Sequence, residues 1–212
     1  MSKLIIAEIV LFELNEGVDH EQFKLDMTGY NNFLKKNEGF LSRKMGLSED
    51  GQYIDIMYFA DLEAYTDCAE NAAKDADLMT FQLSVDAQVD QSSVYSSRFK
   101  VFNQMPLQAA SEPTIAEIFI MKPTDDVDIE VFESAMTKFN ETLANYEGLV
   151  LRENGASEDG QYLELVYWTG LDAINLANEA VVQVEGAEIE SFFEMTDEES
   201  EIINRFEIFM EV

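Results

Sequence analysis

The chain has 212 residues, 47% apolar and 11% aromatic, which is ample material for a core and too apolar for a disordered chain. It carries 43 acidic against 13 basic side chains, a net charge of −30; such a surface repels phosphate backbones and anionic lipid, so neither nucleic acid nor membrane is expected as a partner. The acid is concentrated late, net −9 over residues 1–110 and −21 beyond, and reads as a solubilising surface; no loop has the Asp-x-Asp-x-Asp-Gly spacing of a calcium site, and no metal is expected.

The first segment, IIAEIVLFEL (Ile5–Leu14), is interrupted by Glu8 and Glu13 and falls short of the ~20 apolar residues of a membrane span, so it reads as a strand rather than a signal peptide. The single cysteine, Cys68, excludes an internal disulfide and fits a cytoplasmic protein. Residues 19–37 place Phe23, Met27, Tyr30 and Leu34 at helical spacing behind an Asp19 cap, with the lone histidine, His20, in the first turn. GFLSRKMGL and QYIDIMYFA are strands joined by Ser48-Glu49-Asp50-Gly51, where Asp-Gly supplies the positive φ of a hairpin turn. A helical region over about 61–90 and a strand at Arg98–Phe102 complete a β-α-β-β-α-β unit. MPLQAASEPT (Met105–Thr114) then reads as a linker.

After the linker the pattern begins again. At an offset of 109, IAEI recurs at Ile6 and Ile115, SEDGQY at Ser48 and Ser157, and the pair EG at Glu38 and Glu147; near the end the offset is 107, as RFKVF (Arg98–Phe102) meets RFEIF (Arg205–Phe209). The chain is a tandem duplication with a first repeat over 1–104, the linker over 105–114 and a second repeat over 115–212. SEDGQY is thus a turn copied with its domain.

Two ferredoxin-like units in tandem resemble the dimeric α+β barrel superfamily, whose members include antibiotic-biosynthesis-type monooxygenases, haem-degrading monooxygenases and stress-responsive barrel proteins. The resemblance implies an α+β fold in which the two βαββαβ repeats pack as one pseudo-symmetric barrel within a single chain, further oligomerisation being left open. Haem-degrading members ligate iron through a histidine on the second helix. Here that region reads DLEAYTDCAENAAK and GLDAINLANEAVVQ, with no histidine, and no cofactor is expected. One histidine also leaves no Ser-His-Asp triad, and Cys68, matched by Ala177, has no evident partner for nucleophilic catalysis.

The four arginines form two repeat-matched pairs, Arg43 with Arg152 and Arg98 with Arg205, while lysines are not matched in this way. Glu8 matches Glu117 on the first strand and Asp55 matches Glu164 on the third, so a polar cluster is expected in each half: Glu8, Asp55, Arg43 and Arg98, then Glu117, Glu164, Arg152 and Arg205. Either these are ion pairs that hold register, or they line a pocket. Tyr53 and Tyr162 share strand faces with the acids, as does Trp168, the only tryptophan, matched by Phe59; Asn31 and Asn140 are matched on the first helices. The resemblance implies a cofactor-independent, monooxygenase-like enzyme acting on a small aromatic or polyketide-type molecule. Arg152 or Arg43 would hold a substrate oxygen, Trp168 and Tyr162 would stack on the ring, and Glu164 would assist proton removal, with Tyr53, Asn31, Asn140, Glu8, Asp55, Glu117, Arg98 and Arg205 as further pocket residues. The tryptophan favours the second half. A non-catalytic binding barrel and a packed barrel without ligand are the alternatives.

Overall fold

The computed structural model describes residues 4–106, 112–143, 146–184 and 192–212. In chain order these form β1 (Ile6–Leu14), α1 (His20–Leu34), β2 (Phe40–Leu47), β3 (Tyr53–Phe59), α2 (Leu62–Ala72), α3 (Ala76–Asp86), β4 (Val89–Pro106), β5 (Ile115–Met121), α4 (Ile129–Leu143), β6 (Leu149–Ser157), β7 (Tyr162–Trp168), α5 (Leu171–Val184) and β8 (Ile202–Glu211). The strands are hydrogen-bonded in the order β1-β3-β2-β8-β5-β7-β6-β4 and close into a barrel. The fold is the expected α+β barrel of two βαββαβ repeats. The chain divides into two compact units, Met1–Lys100 with Phe209–Val212, and Val101–Ile208.

In the first unit β1 lies antiparallel between β3 and β4, opposing Glu8 to both Met57 and Arg98, and β2 pairs with the far side of β3. Period-2 alternation sends Ile6, Glu8, Val10 and Phe12 to one face and Ala7, Ile9 and Leu11 to the other. All seven residues of β3 are buried, so both faces of the sheet are covered. Helix α1 starts where Asp19 accepts hydrogen bonds from the backbone N–H groups of Glu21 and Gln22, and it buries Phe23, Met27, Asn31 and Leu34. Asn31 thereby takes an inward position that the apolar spacing assigned to Tyr30, which is half-buried beside it.

The region expected to be helical over 61–90 is two helices. Asp75 breaks it by accepting from the N–H groups of Asp77 and Leu78, both at 3.0 Å, and so caps α3. Strand β4 starts earlier than expected, at Val89, and takes in Met105 and Pro106, the first two residues of the expected linker; residues 107–111 of that linker lie outside the described residues. The hairpin turns form as read, with Gly51 at φ +94° and Gly160 at +81°, although Asp50 and Asp159 keep negative φ.

The matched Glu-Gly pairs also have a structural cause. Gly39 sits at φ +83°, and a Cβ there would lie 2.4 Å from the Ala64 Cβ on α2; the matched Gly148, at φ +89°, would meet Ala173 Cβ at 2.5 Å. A Gly39→Ala variant combines left-handed strain with a clash, and urea denaturation is expected to show a loss on the order of 2 kcal/mol. A neutral effect would mean that α2 shifts freely.

Candidate functional site

The polar residues on the helix-covered face of the first unit resolve into two neighbouring groups. In the first, the Arg43 guanidinium on β2 is fully buried and forks onto Asp55 of β3, Nε to Oδ1 at 2.8 Å and Nη2 to Oδ2 at 2.7 Å. Its Nη1 donates to the Met27 carbonyl at 3.0 Å and to Asn31 Oδ1 at 2.7 Å, both on α1, while the Tyr30 ring lies 5.2 Å from the guanidinium carbon. Asn31 Nδ2 in turn lies 3.2 Å from Met210 Sδ. The bidentate geometry and the complete desolvation account for arginine rather than lysine here.

In the second group Glu8 accepts a hydrogen bond from the Tyr65 hydroxyl of α2 at 2.9 Å. The Arg98 guanidinium of β4 lies 5.1 Å over the Tyr65 ring. Burial pushes the Glu8 carboxyl above the usual range, with a smaller upward push from the Asp55 charge; the Tyr65 hydrogen bond and the Arg98 charge act the other way but do not outweigh burial. Burial, with the nearby Glu8 charge, raises Tyr65 to about 12 and the Cys68 thiol to about 11, so both are protonated at neutral pH.

A cavity of about 480 Å³ opens over these groups, between β1, β3 and β4 below and α1, α2 and α3 above. This lies in the range of ordinary ligand sites. Glu8, Asp55, Tyr30, Tyr65, Phe59 and Phe81 are in its wall, with Met57 and Cys68 beside them and small side chains (Ala69, Ala72 and Ala73) making room on α2. Among the described residues no histidine, lysine or arginine lines it; His20 sits at the start of α1 with Nδ1 2.8 Å from the Tyr53 hydroxyl. The wall therefore offers no nitrogen ligand for haem iron, and the Cys68 thiol is held protonated, so the residues present do not fit a haem.

The second repeat keeps the acids and arginines but not this arrangement. Arg152, fully buried, pairs with Glu164 (Nε to Oε1 2.9 Å, Nη2 to Oε2 2.8 Å) and donates to the Met136 carbonyl at 3.1 Å. Glu117 pairs directly with Arg205, Oε1 to Nη2 at 2.7 Å. Trp168 is 3% exposed and packed against Ile115, Leu149, Val166, Ile174 and Ala177. Its Nε1 has no hydrogen-bond partner among the described residues. Tyr162 donates to Glu133 at 3.0 Å and packs edge-on against Phe132. The side chain of Asn140 lies outside the described residues.

Of the residues expected at a site, Glu8 and Asp55 thus line the cavity, Arg43 and Asn31 support Asp55 from behind, and Arg98 stacks on Tyr65. Tyr53 packs with Phe12, Phe23 and Met45 in a core that adjoins the cavity, and is not itself in the wall. The substrate-holding role expected of Arg43 or Arg152 does not fit this geometry, because each guanidinium is enclosed and engaged by its acid and a carbonyl of the first helix of its repeat. Sequence reasoning missed Tyr65 and Phe81. The signal for Tyr65 was available, since at the repeat offset it faces Ile174, a polar-for-apolar exchange beside a matched strand acid.

No family model matches the sequence, and no curated protein is significantly similar to it. Solved structures do match. A candidate monooxygenase from Fusobacterium nucleatum subsp. nucleatum superposes with a TM-score of 0.78 at 13% identity, covering 100% of this chain and 95% of that one. A candidate monooxygenase from Lactobacillus acidophilus gives 0.69 at 14% identity over 99% and 96%, and an anthrone oxidase-like protein gives 0.70 at 12% identity over 99% and 93%. At these identities the likeness is one of fold alone, the closed α+β barrel that the strand order describes.

Proposed function

We propose that the first repeat holds the working site and that the protein oxidises a small, uncharged hydroxyaromatic or polyketide-type molecule with molecular oxygen, without a bound cofactor. The observation that carries this is Glu8: a carboxylate on an aromatic-walled cavity, desolvated and held by one tyrosine, has the raised basicity that a general base needs. The titratable groups that share the cavity wall with it are Tyr30, Tyr65, Cys68, Asp55 and Asp86, none of them cationic, and Arg98 is not in the wall, so a ligand carboxylate or phosphate in the cavity would touch only acids and neutral groups. An uncharged ring with a hydroxyl or an acidic methylene donates to Glu8 and packs its faces on Phe59, Tyr30 and Phe81.

The chemistry balances without an external reductant. Glu8 takes the substrate proton, which leaves an electron-rich carbanion or phenolate that reacts with oxygen at carbon. Loss of water from the resulting hydroperoxide turns a methylene into a carbonyl. One oxygen atom stays on the product, the other leaves as water with the two methylene hydrogens, and the four electrons come from the carbon. The Glu8 proton returns to the departing oxygen.

Anthrone is the first compound to test, by oxygen uptake and product absorbance, beside a fluorescence titration with the uncharged N-phenyl-1-naphthylamine and its sulfonated relative 1-anilinonaphthalene-8-sulfonate. The expected results are uptake of one oxygen per anthrone, and binding of the neutral probe at least tenfold tighter than the sulfonate, about 1.4 kcal/mol. Binding without uptake would make the protein a binding barrel, and equal binding of both probes would overturn the charge argument.

A further inference from the structure

The two repeats contain the same acid and the same arginine at the same register, yet pair them differently. Glu8 opposes Arg98 on β1 and β4 just as Glu117 opposes Arg205 on β5 and β8. In the second repeat the two side chains meet at 2.7 Å. In the first, Tyr65 stands in the position of Ile174, gives its hydroxyl to Glu8 at 2.9 Å and its ring face to Arg98 at 5.1 Å, and among the described residues no Glu8–Arg98 ion pair forms. We propose that Tyr65 is a wedge: it intercepts the arginine on its ring, keeps a structural ion pair from closing, and so leaves Glu8 as a usable base. Tyr65 is thus a positioning residue that converts one copy of a duplicated salt bridge into a reactive carboxylate. The same exchange changes the space around the acid. Ile174 is fully buried in the core that packs Trp168, whereas Tyr65 lies in the cavity wall.

The kinetic consequence rests on the reading of Glu8 as base, but the wedge itself is read from titration alone. The groups facing Glu8 are Tyr65 and Cys68 on α2, Asp55 on β3, Tyr30 on α1, Asp86 on α3 and Arg98 on β4. The experiment is ¹³C NMR titration of the glutamate carboxyls of the full chain, with the Glu8 signal identified by its loss in a Glu8→Gln variant, in wild type, Tyr65→Phe and Tyr65→Ile. Phenylalanine keeps the ring under Arg98 but removes a hydrogen bond to the carboxylate, so Glu8 should titrate higher than in wild type. Isoleucine copies the second repeat and lets Arg98 reach the acid, so Glu8 should fall by more than about 1 unit, the effect of an opposite charge at close range. A role limited to hydrogen bonding predicts an upward shift in both variants, and that result would overturn the wedge. Should Tyr65→Ile not fold, Arg98→Gln decides in its place. The wedge predicts that Glu8 moves by less than about 1 unit, whereas a larger rise would show that the arginine was already paired with the acid. Normal titration shifts without turnover would uphold the wedge and count against the base.

Discussion

Replacing Arg43 by methionine should remove about 3–5 kcal/mol of folding stability, measured as the shift of the urea midpoint at unchanged slope. Arg43 is fully buried, and its fork onto Asp55, itself 5% exposed, is the only strong partner that acid has among the described contacts. Deleting the cation leaves an uncompensated charge where water cannot reach it, and the Met27 carbonyl and Asn31 Oδ1 lose a donor at the same time. Against a typical 5–15 kcal/mol of total stability, that is a large fraction. A second change separates burial from attraction. An Arg43→Met, Asp55→Leu double variant removes both charges and should recover most of the loss, because buried pairs replaced by apolar groups are often neutral or better. A single variant that lost under about 1 kcal/mol would place the pair among solvent-screened surface bridges and contradict the buried geometry.

The largest functional effect is expected from Glu8→Gln. Glutamine keeps the volume and still accepts the Tyr65 hydrogen bond, but it cannot take a proton, so the oxidation rate should fall roughly 10²–10⁴-fold while the neutral probe still binds. In wild type the rate should fall as pH drops through the raised pKa of Glu8, because only the carboxylate is a base. Stability runs the opposite way. The native state holds the Glu8 proton more firmly than the unfolded chain, so stability is lost as pH rises from the ordinary carboxylate value through the raised one. The glutamine variant lacks that loss and should melt higher than wild type at neutral pH. A variant both inactive and more stable is the signature of a group kept for function at a cost in stability. A fall in melting temperature with unchanged rate would assign Glu8 to structure.

The fold was legible because it rests on local signals that recur in both repeats: the alternation of IAEI, the glycines of the two hairpin turns and the Asp19 cap each appear as the sequence implied. The Asp75 cap was equally local, yet the apolar run through Leu78, Phe81 and Val85 hid it, and one helix was read where two form. At the site, matched arginines and acids flagged the right strands, since charge amid apolar strand residues needs a partner. Matching residues by repeat could not say which partner each would take. That depends on what the second helix brings over the sheet, and there Tyr65 and Ile174 differ. Nor could residue type locate the cavity: Trp168, the obvious stacking platform, is core, and the smaller Phe59 at the matched position lines the space. An aromatic ring fills a pocket as readily as it builds one.

The most direct test of the account is a crystal structure of the chain prepared with anthrone in the absence of oxygen. The account predicts a ring system between the β1–β3 face and helices α1 to α3 of the first repeat, with its oxygen or its acidic methylene against the Glu8 carboxylate. Anthrone seated against Trp168 in the second repeat, with the Glu8 cavity empty, would contradict it.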